Sequence, residues 1–448
     1  MQKYSLKISG YLKNPFLAGT IILTLAGFLT KIIGFFYKIF LARIFHEEGL
    51  GVIGLLTPVM VLTHSLCAAG LQNAITKYVA SCGQDKKEQG YGYLVTGILF
   101  SLSLSALMTW GVFHYACEIA ISFLHDKRCI PLLRITALSF PLASLHTCLN
   151  GFFYGRKKAS VPALSMLIEQ VFRVVSVYAL YALSLNQQSQ LPLSVSCIGM
   201  FMGECASAVF SCILLLSDAA SQNLSLSQSS VSLQKFKELF TLSAPLSLNR
   251  VCVSLLSTLE TIQLPQMLIR SGLSSSQSLS LYGIFSGMAF PLIMFPCALT
   301  GAAGSLLLPY ISEQQAGGNK RRIRQATTLT ILICLLLGIG FMIFLLLFAD
   351  LLGILLFQNE DAAMQIRALA FICPFLYLSG MLNNILHGLG KTFLTFLFSM
   401  ISLGCRLFFV FWAVPKVGFS GYVYGILCSQ VLLDLLLILA LRSCIIYN

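Results

Sequence analysis

The sequence predicts an all-α polytopic membrane protein, with about twelve transmembrane helices in two pseudo-symmetric six-helix bundles. Three observations carry that expectation: an apolar composition, charge-free windows of membrane-spanning length, and an internal repeat.

The 448 residues are 57% hydrophobic and only 10% charged, and mean hydropathy is +0.84. A soluble chain carries about 25% charged residues. A soluble fold of this length could not bury so much apolar side chain, so the surplus must face lipid. The formal net charge of +13 sits mainly at the ends of apolar segments. Membrane topology therefore accounts for it, and no nucleic-acid partner is implied. The fifteen cysteines stand singly, without C-x-x-C or a Cys/His cluster, as small buried residues. The basic N-terminus leads into an apolar stretch longer than a signal-peptide core, which reads as the first helix.

Residues 89–117, 135–155, 271–312, 325–349 and 368–390 contain no Asp, Glu, Lys or Arg. A span needs about 20 apolar residues. Helices are expected near 16–44, 51–78, 91–115, 132–153, 161–184, 193–217, 239–265, 281–310, 327–349, 364–389, 392–414 and 419–441. With the N-terminus inside, seventeen Lys and Arg residues outside the spans fall on the inner side and seven on the outer side. That asymmetry favours a cytoplasmic (inner) membrane protein with both termini cytoplasmic.

A Ser/Gln-rich segment at 218–234 reads as a cytoplasmic linker between an N-terminal lobe, 1–217, and a C-terminal lobe, 235–448. The repeat supports the division. Residues 134–177 slide onto 367–410 without gaps, and 12 of 44 positions are identical. The matches include Arg134 with Arg367, Pro141 with Pro374, Asn150 with Asn383, Gly155 with Gly388, Lys158 with Lys391, and Arg173 with Arg406. The copies lie six helices apart and share one orientation, which makes this a parallel repeat.

Charges inside spans are costly, about 2.5–3.5 kcal/mol each at a helix centre on insertion scales. Five cations are so placed: Lys31, Lys38, Arg173, Arg250 and Arg406. The acids are Glu169, Glu204, Glu260 and Asp434. Arg173 with Glu204 suits a structural pair at matching depth, with Glu169 as a rival partner one turn away. Arg406 with Asp434 is the second-half counterpart. Lys31 and Lys38 share one face of the first helix, about 10 Å apart along its axis. Arg250 takes the pseudosymmetric place in the seventh helix, with Ser254 and Ser257 on its stripe and Glu260 on its flank. A water-filled cationic cavity is expected, suited to a phosphate or diphosphate anion. The bland alternative, snorkelling to an interface, suits Lys38 better than Lys31.

No enzyme constellation is present: there is no P-loop, H-E-x-x-H or G-x-S-x-G. The expectation is therefore no catalytic residues, no metal, no cofactor and no direct use of ATP. The six histidines are dispersed. His387, near the end of a helix, reads as packing.

The run at 27–81 (GFLTKIIGFFYKIF…NAITKYVAS), the run at 236–272 (FKELFTLSAPLSLNR…LIRSG), the GLGVIG segment at Gly51 and the PYISEQQAGG stretch resemble the stage V sporulation protein B-like polysaccharide-biosynthesis proteins. These belong to the multidrug/oligosaccharidyl-lipid/polysaccharide exporter superfamily. The resemblance covers essentially the whole chain. It implies two six-helix lobes working by alternating access on a polyprenyl-diphosphate-linked saccharide, such as peptidoglycan lipid II. Lys31 stands where lipid II flippases carry an essential arginine. At the next basic place Tyr37 stands, with Lys38 adjacent. Many relatives have fourteen helices, whereas this chain is expected to have twelve. The implied partners are an anionic lipid-linked saccharide, membrane lipids and cell-wall synthesis enzymes. A cation-coupled multidrug exporter of the same superfamily is the alternative, with Glu260 and Glu204 as its cavity acids. A membrane scaffold for cell-wall synthesis is a third reading.

Overall fold

The computed structural model describes residues 15–82, 87–186, 191–221 and 232–446. Among them the secondary structure is helical, with no strand. In lipid a backbone polar group has no water to bond, so helices are the solution open to a chain of such apolar segments.

Among the described residues twelve long rods follow one another. α1 is Pro15–Gly54 and breaks at His46, whose φ is 54°. α2 joins Thr57–His64, a π turn at Ser65–Ala69, and Gly70–Cys82. Then come α3 (Lys87–His114), α4 (Cys129–Gly155), α5 (Ser160–Asn186), α6 (Ser194–Ser221) and α7 (Leu233–Arg270). α8 joins Ser275–Gly283, a π turn at Ile284–Ala289, Phe290–Met294 and Cys297–Ala316. α9 is Lys320–Phe357 and α10 is Glu360–Gly388. α11 is Thr392–Trp412 and α12 is Phe419–Ile446. Eleven helical stretches among the described residues are long and apolar enough to cross a membrane. The rod outside that count is α2, whose middle carries His64, Gln72 and Asn73 and is less apolar. The chain is an all-helical, multi-pass membrane protein.

The rods fall into two compact units. One holds residues up to Ile33 together with Leu56–Ser254; the other holds Gly34–Leu55 and Leu255–Asn448. α1 and α7 are thus divided between units, each near its middle. In the second unit, the second half of α1 is tied down by Arg43, whose Nε and Nη2 donate to the carbonyls of Leu356 and Leu355 at 2.9 and 2.6 Å. The Ser276 hydroxyl donates to Glu48 at 2.6 Å. There α1 and α8 cross at glycines: a Cβ on Gly51 would meet the Leu279 carbonyl oxygen at 2.2 Å, and one on Gly283 would meet that of Glu47 at 1.8 Å. Small residues let helix backbones touch where lipid supplies no hydrophobic drive. In the first unit, the first half of α7 is held to α2 and α3. The Tyr93 hydroxyl donates to the Glu238 carboxylate, and Gly70 lies against Ser243 and Ser247.

Each unit packs around its own central helix. α4 is the most buried span of the first unit and α10 of the second. These two helices carry the sequence repeat, and the structure reproduces it in detail. At the end of α4, the N–H groups of Arg156, Lys157 and Lys158 donate to Phe152, Tyr154 and Phe153 at 3.0, 3.0 and 2.9 Å. At the end of α10, those of Leu389, Gly390 and Lys391 donate to Ile385, His387 and Leu386 at 2.9, 3.0 and 2.9 Å. The left-handed residue of this cap is Lys157 (φ 59°) in one copy and Gly390 (φ 71°) in the other. Gly155 packs on Thr76 and Val79 of α2; its mate Gly388 packs on Leu308 and Ile311 of α8.

The expected 218–234 linker begins later than the sequence indicates. α6 is helical through Ser221, because Asp218 is buried and held by Arg156, Lys158 and the Tyr91 hydroxyl. Residues 222–231, and the N-terminal Lys3, Lys7 and Lys13 expected inside, lie outside the described residues.

Candidate functional site

A cluster of polar groups lies at membrane depth in each unit. In the first, α2 presents His64 and Ser65 at its π turn. The Ser65 and Ser254 hydroxyls are 3.0 Å apart, which joins α2 to α7. His64 Nε2 lies 3.2 Å from the Thr147 hydroxyl of α4. Arg250, Glu204 and His146 all lie within electrostatic reach of His64.

Behind them, His146 Nδ1 is 3.6 Å from Glu204 Oε2, and His146 Nε2 is 2.7 Å from Asn150 Nδ2. Arg173 pairs with Glu169, one turn back on α5, and not with Glu204. The i,i+4 pair needs no alignment between helices. A Cβ on Gly203 would meet the Glu169 carbonyl oxygen at 2.7 Å, so α5 and α6 approach closely beside Glu204. As a result, donor atoms of His146, Glu169 and Glu204 all lie within 4.8 Å of one another. These three could converge on a cation or share a proton. Glu204 Oε2 and Asn150 Oδ1 are buried without a hydrogen-bond partner.

Lys31 and Arg250 belong to the same unit. Both side chains are exposed at the surface of the protein. Among the described residues neither forms an ion pair. Lys38 and Ser257, also exposed, belong to the other unit.

In the second unit, Glu260 of α7 is the hub. Its Oε1 accepts from the Tyr422 hydroxyl of α12 at 2.8 Å. Arg406 Nε of α11 lies 2.9 Å from the same oxygen, an ion pair off ideal hydrogen-bond geometry. Arg406 therefore takes Glu260 rather than Asp434. Asp434 is twelve residues beyond Tyr422 on α12, about 18 Å along the axis, and lies too far from the level of Arg406. Both Asp434 carboxylate oxygens are buried without a partner.

Sequence reasoning passed over His64 and His146. The available signal was weak: His146 is one turn before Asn150, one of the few polar matches of the repeat. His387 at the end of α10 is exposed and joins neither cluster.

A family model described as polysaccharide biosynthesis protein matches residues 16–315, and a second, described as MatE, matches 246–412. The chain is 28% identical to stage V sporulation protein B of Bacillus subtilis (strain 168) over 430 residues, which is 95% of this chain and 83% of that one. It is 23% identical to the lipid II flippase MurJ of the same organism over 342 residues, 70% of this chain and 61% of that one. A multidrug resistance MATE family transporter of the MOP superfamily, solved in an inward-facing conformation, superposes with TM-score 0.75 at 16% identity, covering 95% of this chain and 98% of that one. With its sequence matched over 16–315, the chain belongs to the polysaccharide biosynthesis protein family, and its fold is that of the superposed structure.

Proposed function

We propose that this transporter is a flippase for a polyprenyl-diphosphate-linked saccharide precursor, peptidoglycan lipid II or a related polysaccharide unit. The observation that carries the reading is the pair Lys31 and Arg250: span cations of one unit, exposed, with no carboxylate partner among the described residues. An unpaired cation in a span is costly and needs a function. A diphosphate is the anion such a pair suits, Arg250 by its planar fork and Lys31 by its point charge. Lys38, Ser254 and Ser257 assist. The relatives named as a lipid II flippase and a capsular polysaccharide biosynthesis protein support the substrate class.

The saccharide headgroup crosses by alternating access, while the polyprenyl tail stays in lipid. Both termini are cytoplasmic, in a bacterial inner membrane. An inside-negative potential favours outward movement of net negative charge by about 2.3 kcal/mol per charge per 100 mV. The chain carries no chemistry of its own and works beside cell-wall synthesis enzymes.

The test is complementation in cells depleted of their lipid II flippase, at equal membrane expression. Wild type is expected to rescue, and Lys31→Ala and Arg250→Ala to fail. Rescue by all three removes the diphosphate site. The cluster of His146, Glu169 and Glu204 favours a second reading, a cation-coupled multidrug exporter. Drug efflux by wild type, without rescue, would select it.

A further inference from the structure

α9 opens with a run of cations, Lys320, Arg321, Arg322 and Arg324, and α12 ends with Arg442 beside them. Between the two helices, within the second unit, lies a cavity of about 730 Å³. Lys320, Arg321, Arg324 and Arg442 line it together with Thr327 and Thr328, and no carboxylate does. None of these four cations is ion-paired among the described residues. Ile331, Ile438 and Leu441 form the rest of the wall. Ile331 lies seven residues beyond Arg324, about 10 Å deeper along α9. The cavity is thus cationic at its rim and apolar towards the membrane interior.

A second observation marks it as a built site. Thr327 is 6% exposed, and its hydroxyl has no hydrogen-bond partner. Helical threonines commonly satisfy the hydroxyl on the carbonyl four residues back, as Thr63, Thr96 and Thr147 do at 2.7–2.8 Å. Thr327 does not. Its helix also starts without a side-chain cap, which leaves the positive end of a 33-residue helix unscreened beside the cations.

The other half of the molecule supplies the control. At the end of α4, Asp218 gathers Arg156, Lys158 and Tyr91 and neutralises the corner. Lys391 is the repeat mate of Lys158. Lys391 and Lys320 line a second, 300 Å³ cavity that shares Lys320 with the first, again without a carboxylate.

We propose that the α9–α12 cavity binds an anionic glycerophospholipid, its phosphate among Lys320, Arg324, Arg442 and Thr327 and an acyl chain along Ile331 and Ile438. Basic pockets between transmembrane helices, on the side where cations concentrate, bind anionic headgroups. The apolar wall selects a lipid over a soluble anion. This site is independent of the transported substrate, and its test needs no transport.

The purified full chain is placed in nanodiscs of phosphatidylglycerol or of phosphatidylcholine, and retained lipid is counted by native mass spectrometry after transfer to detergent. Wild type is expected to retain phosphatidylglycerol and not phosphatidylcholine. At about 1 kcal/mol per cation near the membrane surface, R324A/R442A binds about thirtyfold more weakly. R324K/R442K stays within a few-fold of wild type. Thr327→Val, which keeps shape and removes the hydroxyl, loses a few-fold and reads out the site should R324A/R442A fail to fold. Three results would each overturn the proposal: undiminished phosphatidylglycerol retention by both R324A/R442A and Thr327→Val, equal retention of phosphatidylcholine by wild type, or displacement of the lipid by equimolar glycerol phosphate.

Discussion

The two units handle charge at membrane depth in opposite ways. In the second, one acid is closed off by one base and one hydroxyl from three helices: Glu260 with Arg406 and Tyr422. In the first, two carboxylates and a histidine crowd within 4.8 Å. The single arginine among them, Arg173, is committed to its own helix, and Lys31 and Arg250 carry no acid. A scaffold used twice thus ties one acid into a neutral cross-helix knot in the second copy, where Asp434 stays buried and unpartnered, and leaves two cations without an acid in the first. Charge at membrane depth is costly, so the knot is where bracing is best tested and the free cations are where the proposed substrate handling is.

The sharpest way to break this comparison is to open the knot. Glu260→Ala leaves the Arg406 guanidinium without its carboxylate. Loss of one partner of a buried pair costs about 3–5 kcal/mol. Thermal unfolding in detergent reads it. E260A/R406A should lose much less than the sum of the two single variants, because the second change removes the charge the first one stranded. Strict additivity would mean that Glu260 and Arg406 do not brace each other.

The first unit should respond unevenly. Glu169→Gln strips Arg173 of its charge partner and costs about 1–3 kcal/mol. Glu204→Gln costs less than about 1 kcal/mol, since Glu204 Oε2 has no hydrogen bond to lose and its neighbour Glu169 repels it. Equal losses in the same unfolding measurement would mean that Arg173 serves both carboxylates.

Lys31→Ala and Arg250→Ala complete the contrast. Each is expected within about 0.5 kcal/mol of wild type in stability, while rescue of flippase-depleted cells is lost. A stability loss as large as that of Glu260→Ala would move both cations to the bracing class.

The fold was legible because lipid imposes a simple rule: apolar windows such as 325–349 and 368–390 must be helices of span length. The six-helix repeat was legible from Asn150, Gly155, Lys158 and Arg173 and their mates. Breaks inside helices were not, since π turns at Ser65–Ala69 and Ile284–Ala289 carry no composition signal. Partners were read less well than depths. Linear spacing gives the level of a side chain along a rod but not the rotation of that rod. Arg406 was therefore assigned to Asp434 when it turns to Glu260. His146 was invisible as a site residue because its acid, Glu204, lies two helices away.

The smallest expected effect tests the repeat itself. The caps ending α4 and α10 match hydrogen bond for hydrogen bond, yet one places Lys157 and the other Gly390 in the left-handed region. Lys157 is exposed, and a Cβ on Gly390 would meet nothing within 4 Å. The two positions therefore differ in backbone preference alone. A non-glycine residue there costs about 1–2 kcal/mol, partly offset by the extra freedom glycine gives the unfolded chain. Gly390→Ala should lower stability by about 1 kcal/mol, and Lys157→Gly should raise it by a similar or smaller amount, both read by thermal unfolding. If Lys157→Gly is destabilising, the lysine side chain holds a contact that its repeat mate lacks, and the two halves diverge at their best-matched turn as well as in their charges.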